Sequence, residues 1–326
     1  MSQSILVIRL GAMGDILHAL PAVASLKLSF PESRLSWLVA ERWMPLLEGN
    51  PFIDDLIAVD ERARSLWAFL RTATRQRPDL AIDFQGLLKS ALAGRVTRPG
   101  RFLGFDRTVA REPLASFLYS DRIPVRGPHR IERNLQLAKA AGATRITQES
   151  WIPAGRPEGD LPQSPFVLAS PFAGWGSKQW PLEHYNSLGL RFREEGLQLL
   201  LNVPQERACE LKPLDNVQVH SSSLAGLIFA TRAADAVIGV DSGPLHLAAA
   251  LGKPGVALFG PTDPAQTGPF RSRMTILRAE SATTTYKRQH ATDASMKDIS
   301  VAHVWDALAR SRASLPELRV SASGRS

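Results

Sequence analysis

Short apolar runs rich in β-branched residues alternate with helix-like segments twice along this 326-residue chain, and one proline-rich stretch separates the two series. The first series has strand-like runs at Ile5–Ile8, Leu35–Val39, Leu56–Val59, Leu80–Ile82 and Phe102–Phe105. Helical patterns lie at Asp15–Phe30, Leu66–Thr74, Leu87–Arg95 and Ile131–Ala141. Strands apolar on both faces, each followed by a helix, predict a parallel sheet with both faces covered. From Thr147 to Pro165 the pattern stops; Pro153, Pro157, Pro162 and Pro165 with Gly155 and Gly159 have the composition of a linker. The alternation then restarts, with strands at Phe166–Ala169, Leu197–Leu201, Ala236–Val240 and Val256–Phe259. Its helices are expected at His184–Glu195, Ser223–Thr231, Pro244–Leu251 and Val301–Ser314, before a small, polar tail from Val320. The expectation is an α/β chain of two Rossmann-like domains, residues 1–155 and 156–326, with a cleft between them. Ligands of such sheets bind beyond the carboxyl ends of the strands.

Several classes are disfavoured. No apolar run approaches the roughly 20 residues that span a bilayer. The start, Met1–Ile5, lacks the basic and apolar regions of a signal peptide. A single cysteine, Cys209, allows no internal disulfide, so a cytoplasmic location is expected. The net charge is +8, and it is unevenly spread. Residues 60–133 hold 15 basic and 8 acidic side chains, whereas residues 156–326 hold 18 and 16. An anionic partner of the first half is one reading (nucleic acid, acidic lipid or phosphorylated sugar), and a solvated arginine-rich surface is the other.

Four motifs follow predicted strands. Arg9-Leu-Gly-Ala-Met-Gly-Asp15 joins the first strand to the first helix. Gly11 and Gly14 permit a tight turn, and the helix start beyond favours an anion. The spacing is neither the dinucleotide fingerprint nor a phosphate loop with its lysine. Asp15 is a candidate functional carboxylate, although a first-turn acid is also ordinary helix chemistry. Gly174-Trp-Gly-Ser-Lys-Gln-Trp-Pro181 occupies the same relative place in the second series, and Lys178 there suits a diphosphate. Gly239-Val-Asp-Ser-Gly-Pro-Leu-His246 carries Asp241 at a strand end, a Ser242–Gly243 turn and His246 within the next helix. Phe259-Gly-Pro-Thr-Asp-Pro264 offers Thr262 and backbone donors, in a composition that a plain turn also favours.

Residues 10–18, 241–246 and 260–264 resemble the hallmark motifs of glycosyltransferase family 9, the ADP-heptose:lipopolysaccharide heptosyltransferases. Residues 83–91 and 110–117 are similar to the heptosyltransferase I subtype in particular. The resemblance spans about Ile5 to Phe270 and implies a GT-B fold. It implies an inverting transfer without metal or cofactor, with acceptor on the first domain and ADP-heptose on the second. It makes Asp15 the general base. Lys178, Asp241, Ser242, Gly243, His246 and Thr262 become donor-binding residues, and Gly14, Arg62, Arg64, Gln85 and Lys89 acceptor-binding ones. The implied acceptor is a Kdo residue of Kdo-lipid A, met by a monomer at the cytoplasmic face of the inner membrane. The basic segment then serves an anionic glycolipid, with Arg71 and Arg75 as further candidates. Three departures stand out. Ala173 and Gly174 lack the hydroxyls that the subtype places near the phosphates, the loop after Val59 is short, and no cysteines lie near 286–296.

Alternatives remain at this level. A heptosyltransferase II- or III-like enzyme would take another heptose acceptor. A nucleotide-sugar epimerase or oxidoreductase would need a dinucleotide fingerprint and a Tyr-x-x-x-Lys pair. A non-enzymatic binder of anionic ligands would leave four strand-end motifs without a role, and no nucleic-acid partner is expected.

Overall fold

The computed structural model describes residues 3–60, 77–211, 214–285 and 287–313. The chain divides into two compact units. One comprises Met1–Glu158 with Ser222–Arg232 and Ala265–Phe270, the other Gly159–Ser221, Ala233–Pro264 and Arg271–Ser326.

The first sheet contains β1 (Ser4–Ile8), β2 (Arg34–Ala40), β3 (Asp55–Val59), β4 (Leu80–Asp83), β5 (Arg101–Phe105) and β6 (Asp121–Ile123). All its pairings are parallel, and the order is β3-β2-β1-β4-β5-β6. That is the 3-2-1-4-5-6 order of a Rossmann half. Every residue of β1 from Ile5 to Ile8 is buried, as a central strand requires. The described helices of this half are α1 (Met13–Ser29), α2 (Leu88–Val96) and α3 (Arg130–Ala140). Asn134 of α3 donates to the His18 carbonyl of α1 at 2.9 Å, which ties the two helices near their first turns.

The second sheet repeats the plan. β7 (Phe166–Ser170), β8 (Gln198–Pro204), β9 (Gln218–Ser222), β10 (Ala236–Val240), β11 (Gly255–Phe259) and β12 (Met274–Arg278) run in the order β9-β8-β7-β10-β11-β12. The helices of this stretch of sequence are α4 (Leu182–Glu194), α5 (Leu224–Ala233), α6 (Gly243–Ala250), α7 (Pro264–Thr267), α8 (Ala294–Lys297) and α9 (Val301–Ala313), of which α5 and α7 fall mostly in the first compact unit. Trp180, Tyr185, Phe192 and Leu308 pack with the strand residues Val167, Leu199, Ile238 and Leu258 in one apolar cluster. Two Rossmann-like sheets in one chain are the GT-B architecture expected from the sequence resemblance.

Three strands were not foreseen: β6, β9 and β12. Each is an edge strand. An edge strand is less covered than a central one, so its sequence alternates or turns polar, as in Gln218-Val-His-Ser-Ser222. The expected helix at Leu66–Thr74 lies outside the described residues, as do Arg62, Arg64, Arg71 and Arg75.

Candidate active site

Where the strand order of an open sheet reverses, the loops at the strands' carboxyl ends part and leave a crevice. In the first unit the reversal lies between β1 and β4, so the loops after Ile8 and Asp83 border it. The loop after β1 enters α1, of which Gly14 is the second residue and Asp15 the third. The Asp15 side chain is 10% exposed, and its two oxygens contact the guanidiniums of Arg9 and Arg130. Arg9 is buried and pinned, because its Nη1 also donates to the Phe84 carbonyl at 2.7 Å. Burial works against the Asp15 charge. The fields of Arg9, Arg130 and His18 and the Arg130 hydrogen bond outweigh it and hold the carboxyl far below the usual range.

The loop after β4 is built around Asp83, which is fully buried. One oxygen accepts from Gln85 N at 2.7 Å and Gly86 N at 3.3 Å. The other accepts from the Ser90 hydroxyl at 2.8 Å and the Tyr119 hydroxyl at 2.7 Å. Burial pushes the Asp83 carboxyl up against these four hydrogen bonds, and it pushes the Tyr119 phenol up too, so the phenol stays protonated as a donor. Tyr119 reaches Asp83 only because Gly104 lies under its ring; a Cβ there would come within 2.2 Å of the ring. Asp83 thus shapes the loop, and Gln85 carries that order across the crevice by accepting from Leu10 N at 2.7 Å. A pocket opens here, lined among others by Arg9, Asp15, Gln85, Arg111, Arg130 and Arg133. It presents four guanidiniums, with Asp15 as the one carboxylate among the described residues lining it.

In the second unit the reversal lies between β7 and β10. The loop after β7 makes a short 3-10 turn, Gly176–Lys178, where Gly176 passes so close to the His290 backbone that any side chain would collide. Trp180, buried and donating to the Ile299 carbonyl at 2.9 Å, anchors the far end of this loop. Lys178 Nζ then lies 2.6 Å from Asp241 Oδ2, at the end of β10, and 4.4 Å from the Trp175 ring centroid. His246 Nε2, on the first turn of α6, is 3.5 Å from the other Asp241 oxygen. Asp241 is buried, which opposes its charge, yet the His246 hydrogen bond and the Lys178 ammonium hold its carboxyl far below the usual range. The hydroxyls of Ser177, Ser242 and Thr262 are buried and make no hydrogen bond within the described residues. Buried hydroxyls are rarely left so, and they are ready donors to a ligand.

The structure brings Lys178, Asp241 and His246 into one constellation, with Ser242 and Gly243 at the start of the same helix. Thr262 follows β11, the neighbour of β10. Gly14 precedes Asp15 in α1, and Gln85 lines the same pocket as Asp15. Lys89 is exposed on the first turn of α2, outside the lining of the Asp15 pocket. Sequence reasoning gave no role to Arg9, His18, Arg111, Arg130 or Arg133. One signal was available: Arg130 opens a helix, where the dipole disfavours a cation, so it needs a carboxylate from elsewhere.

Three comparisons bear on this geometry. A family model described as glycosyltransferase family 9 (heptosyltransferase) matches residues 66–296. Lipopolysaccharide heptosyltransferase 1 of Pseudomonas aeruginosa is 33% identical over 293 residues, 82% of this chain and 81% of that protein. The solved structure of Escherichia coli heptosyltransferase WaaC with ADP is 25% identical at a TM-score of 0.77, covering 94% of this chain and 99% of that one. WaaC with ADP-2-deoxy-2-fluoro heptose gives 25% and 0.74, covering 93% and 98%.

Proposed function

The chain belongs to glycosyltransferase family 9, the heptosyltransferases, and from that premise we propose that it transfers L-glycero-D-manno-heptose from ADP-heptose to a Kdo residue of Kdo-lipid A. The observation that carries this reading is a single ionised carboxylate among four guanidiniums at the switch point of the first unit. The guanidiniums suit an acceptor bearing carboxylate and phosphate groups. The carboxylate suits removal of a hydroxyl proton.

The donor goes to the second unit. Lys178 neutralises the diphosphate, and Ser177, Ser242, Thr262 and the start of α6 supply donors to its oxygens. Asp241 positions the Lys178 ammonium and, with His246, offers hydrogen bonds to sugar hydroxyls. Ala173 and Gly174 bring no hydroxyl to this loop, and the buried Ser177 hydroxyl supplies one from the same turn.

In the reaction, the acceptor oxygen attacks the anomeric carbon while Asp15 takes its proton. The bond from that carbon to the diphosphate oxygen breaks on the opposite face, the bonding electrons leave with ADP, and the anomeric configuration inverts. Lys178 and the helix start stabilise the charge growing on ADP.

Catalysis takes place at a membrane surface, where the acceptor's acyl chains are held. The exposed Leu114 and Phe117 support this, being 64% and 63% exposed and close in sequence to the pocket residue Arg111. Arg122 lies over the Phe117 ring at 5.4 Å. No helix among the described residues is long and apolar enough to cross a membrane.

Incubation with ADP-heptose and Kdo-lipid A, read by mass spectrometry, should add one heptose, and NMR of the product should give the inverted anomer. Turnover only on an acceptor that already carries heptose would replace this reading with a heptosyltransferase II- or III-like one.

A further inference from the structure

Asp15 is in an awkward state for a base. Two guanidiniums sit on its carboxylate, one on each oxygen. A base so stabilised takes a proton reluctantly, since its proton affinity falls with every cation that contacts it. The two cations differ in one respect. Arg9 is buried and also bound to the Phe84 carbonyl, so it stays where it is. Arg130 has a side chain 40% exposed, on the first residue of α3.

Two neighbours of Arg130 in sequence, His129 and Arg133, are held by hydrogen bonds. His129, the residue before it, caps α3 by accepting from Ile131 N at 3.1 Å through Nδ1. Its Nε2 is 3.0 Å from the Gly268 carbonyl, so both ring nitrogens have hydrogen-bond partners. The α3 dipole disfavours a cation at its first residue, so an anionic partner there is favourable. Arg111 and Arg133 line the same pocket, and Arg133 Nε is bound to the Gly127 carbonyl at 2.8 Å. The charged and titratable groups around Asp15 are therefore Arg9 from the loop after β1, His18 from α1, Arg111 from the loop after β5, Arg130 and Arg133 from α3, and Asp83 at the end of β4.

We propose that Arg130 is a displaceable cap on Asp15: an anionic group of the acceptor takes the Arg130 guanidinium and frees one carboxylate oxygen for the reacting hydroxyl. The base is then strong only when acceptor is present. Arg130 is a positioning residue, and it makes base strength depend on the acceptor's charge. The displacing group is an anionic oxygen group, either the carboxylate of a sugar acid or a phosphate. This proposal rests on the reading of Asp15 as base.

The test compares pH profiles of wild type and Arg130→Met. The acid limb of kcat/KM reports free enzyme, and that of kcat reports the enzyme–acceptor complex. In wild type the kcat limb should lie at higher pH than the kcat/KM limb. In Arg130→Met the kcat/KM limb should rise by about one pH unit or more toward the kcat limb. Acceptor KM should rise roughly 10-fold, as expected for loss of a charge-assisted hydrogen bond. Acceptor ionisation is common to both enzymes and cancels in the comparison. Arg130→Lys, which keeps the charge, should restore most of the separation. Two further acceptors identify the displacing group. Esterifying the sugar carboxylate, or removing the phosphates, should lower wild-type kcat in one case and leave Arg130→Met indifferent in that same case.

Coincident limbs in wild type, or limbs that Arg130→Met does not move in a variant of normal melting temperature, would overturn the cap. Asp15→Asn separates the two ideas. If it retains turnover, the base reading fails; if it is inactive while the limbs coincide, the base stands and the cap is wrong.

Discussion

Replacing Lys178 by Met tests both the donor site and what holds it together. The ammonium is 2.6 Å from one Asp241 oxygen and 4.4 Å from the Trp175 ring centroid. Methionine keeps the stem and removes the charge. Asp241, buried at the end of β10, would then lose its ammonium partner while His246 stays beside its other oxygen. Removing one partner of a buried pair costs about 3–5 kcal/mol, and Lys178 is 16% exposed, so the lower end, about 3 kcal/mol, applies. The cation–π contact adds about 0.5–1 kcal/mol. Adding Asp241→Asn to Lys178→Met removes the stranded charge and should recover about 2 kcal/mol, a non-additivity visible in urea titrations. The pH dependence has a definite sign. The wild-type Asp241 carboxyl is lowered on folding, so its stabilisation is present above the unfolded carboxylate pKa of about 4 and is lost as pH falls below it. The gap between wild type and Lys178→Met should therefore be constant from about pH 5 to 8 and narrow below about pH 4. ADP affinity by calorimetry should fall about 10- to 100-fold, the worth of a charge-assisted bond to phosphate. A cost under about 1 kcal/mol with no recovery in the double variant would refute the stranded-charge argument. Unchanged ADP affinity would remove Lys178 from the donor site.

Three other outcomes are expected. Asp15→Asn should lower kcat by about 10²–10⁴-fold and leave calorimetric ADP affinity within about twofold, because Asp15 and the diphosphate residues belong to different units. Tyr119→Phe removes one donor from buried Asp83 and should cost about 1.5–3 kcal/mol in urea unfolding. Burial already holds the folded-state Asp83 pKa above the ordinary carboxylate value of about 4, and the loss raises it further, so this deficit should be full only at pH well above that value and should shrink as pH falls toward it. Leu114→Ser with Phe117→Ser should lower partition onto anionic vesicles by about 100-fold, if each side chain contributes about 1.5 kcal/mol on insertion. Turnover of a water-soluble, acyl-free acceptor should be unaffected, and unchanged vesicle sedimentation would dismiss the patch.

What the sequence made legible follows from where burial is greatest. Ile5–Ile8, Ala236–Val240 and Val256–Phe259 are central strands covered on both faces, so they read as continuous apolar runs, and their positions agree with the structure to within a residue. The motifs after them could be placed at strand ends for the same reason. Edge strands β6, β9 and β12 lack that double cover, and nothing local announces them. The candidate sites divide along a similar line. Asp241 and His246 are five residues apart on one strand–turn–helix, so local pattern brings them together, and Lys178 joins them through the repeated placement of a loop after β7. Arg130 is 115 residues from Asp15, and no periodicity or spacing links them. The Rossmann order does, by setting α3 against α1 beside the β1–β4 crevice. Composition counts three of the pocket arginines, Arg111, Arg130 and Arg133, within the basic surplus of residues 60–133. It could not separate the arginines that line the pocket from the solvated ones: Arg111, Arg130 and Arg133 count the same in a sum of charges as Arg101, which pairs with Asp121 in the first sheet at 2.9 Å. What distinguishes Arg130 is the partner it meets, a carboxylate that already holds one buried arginine and is the proposed general base.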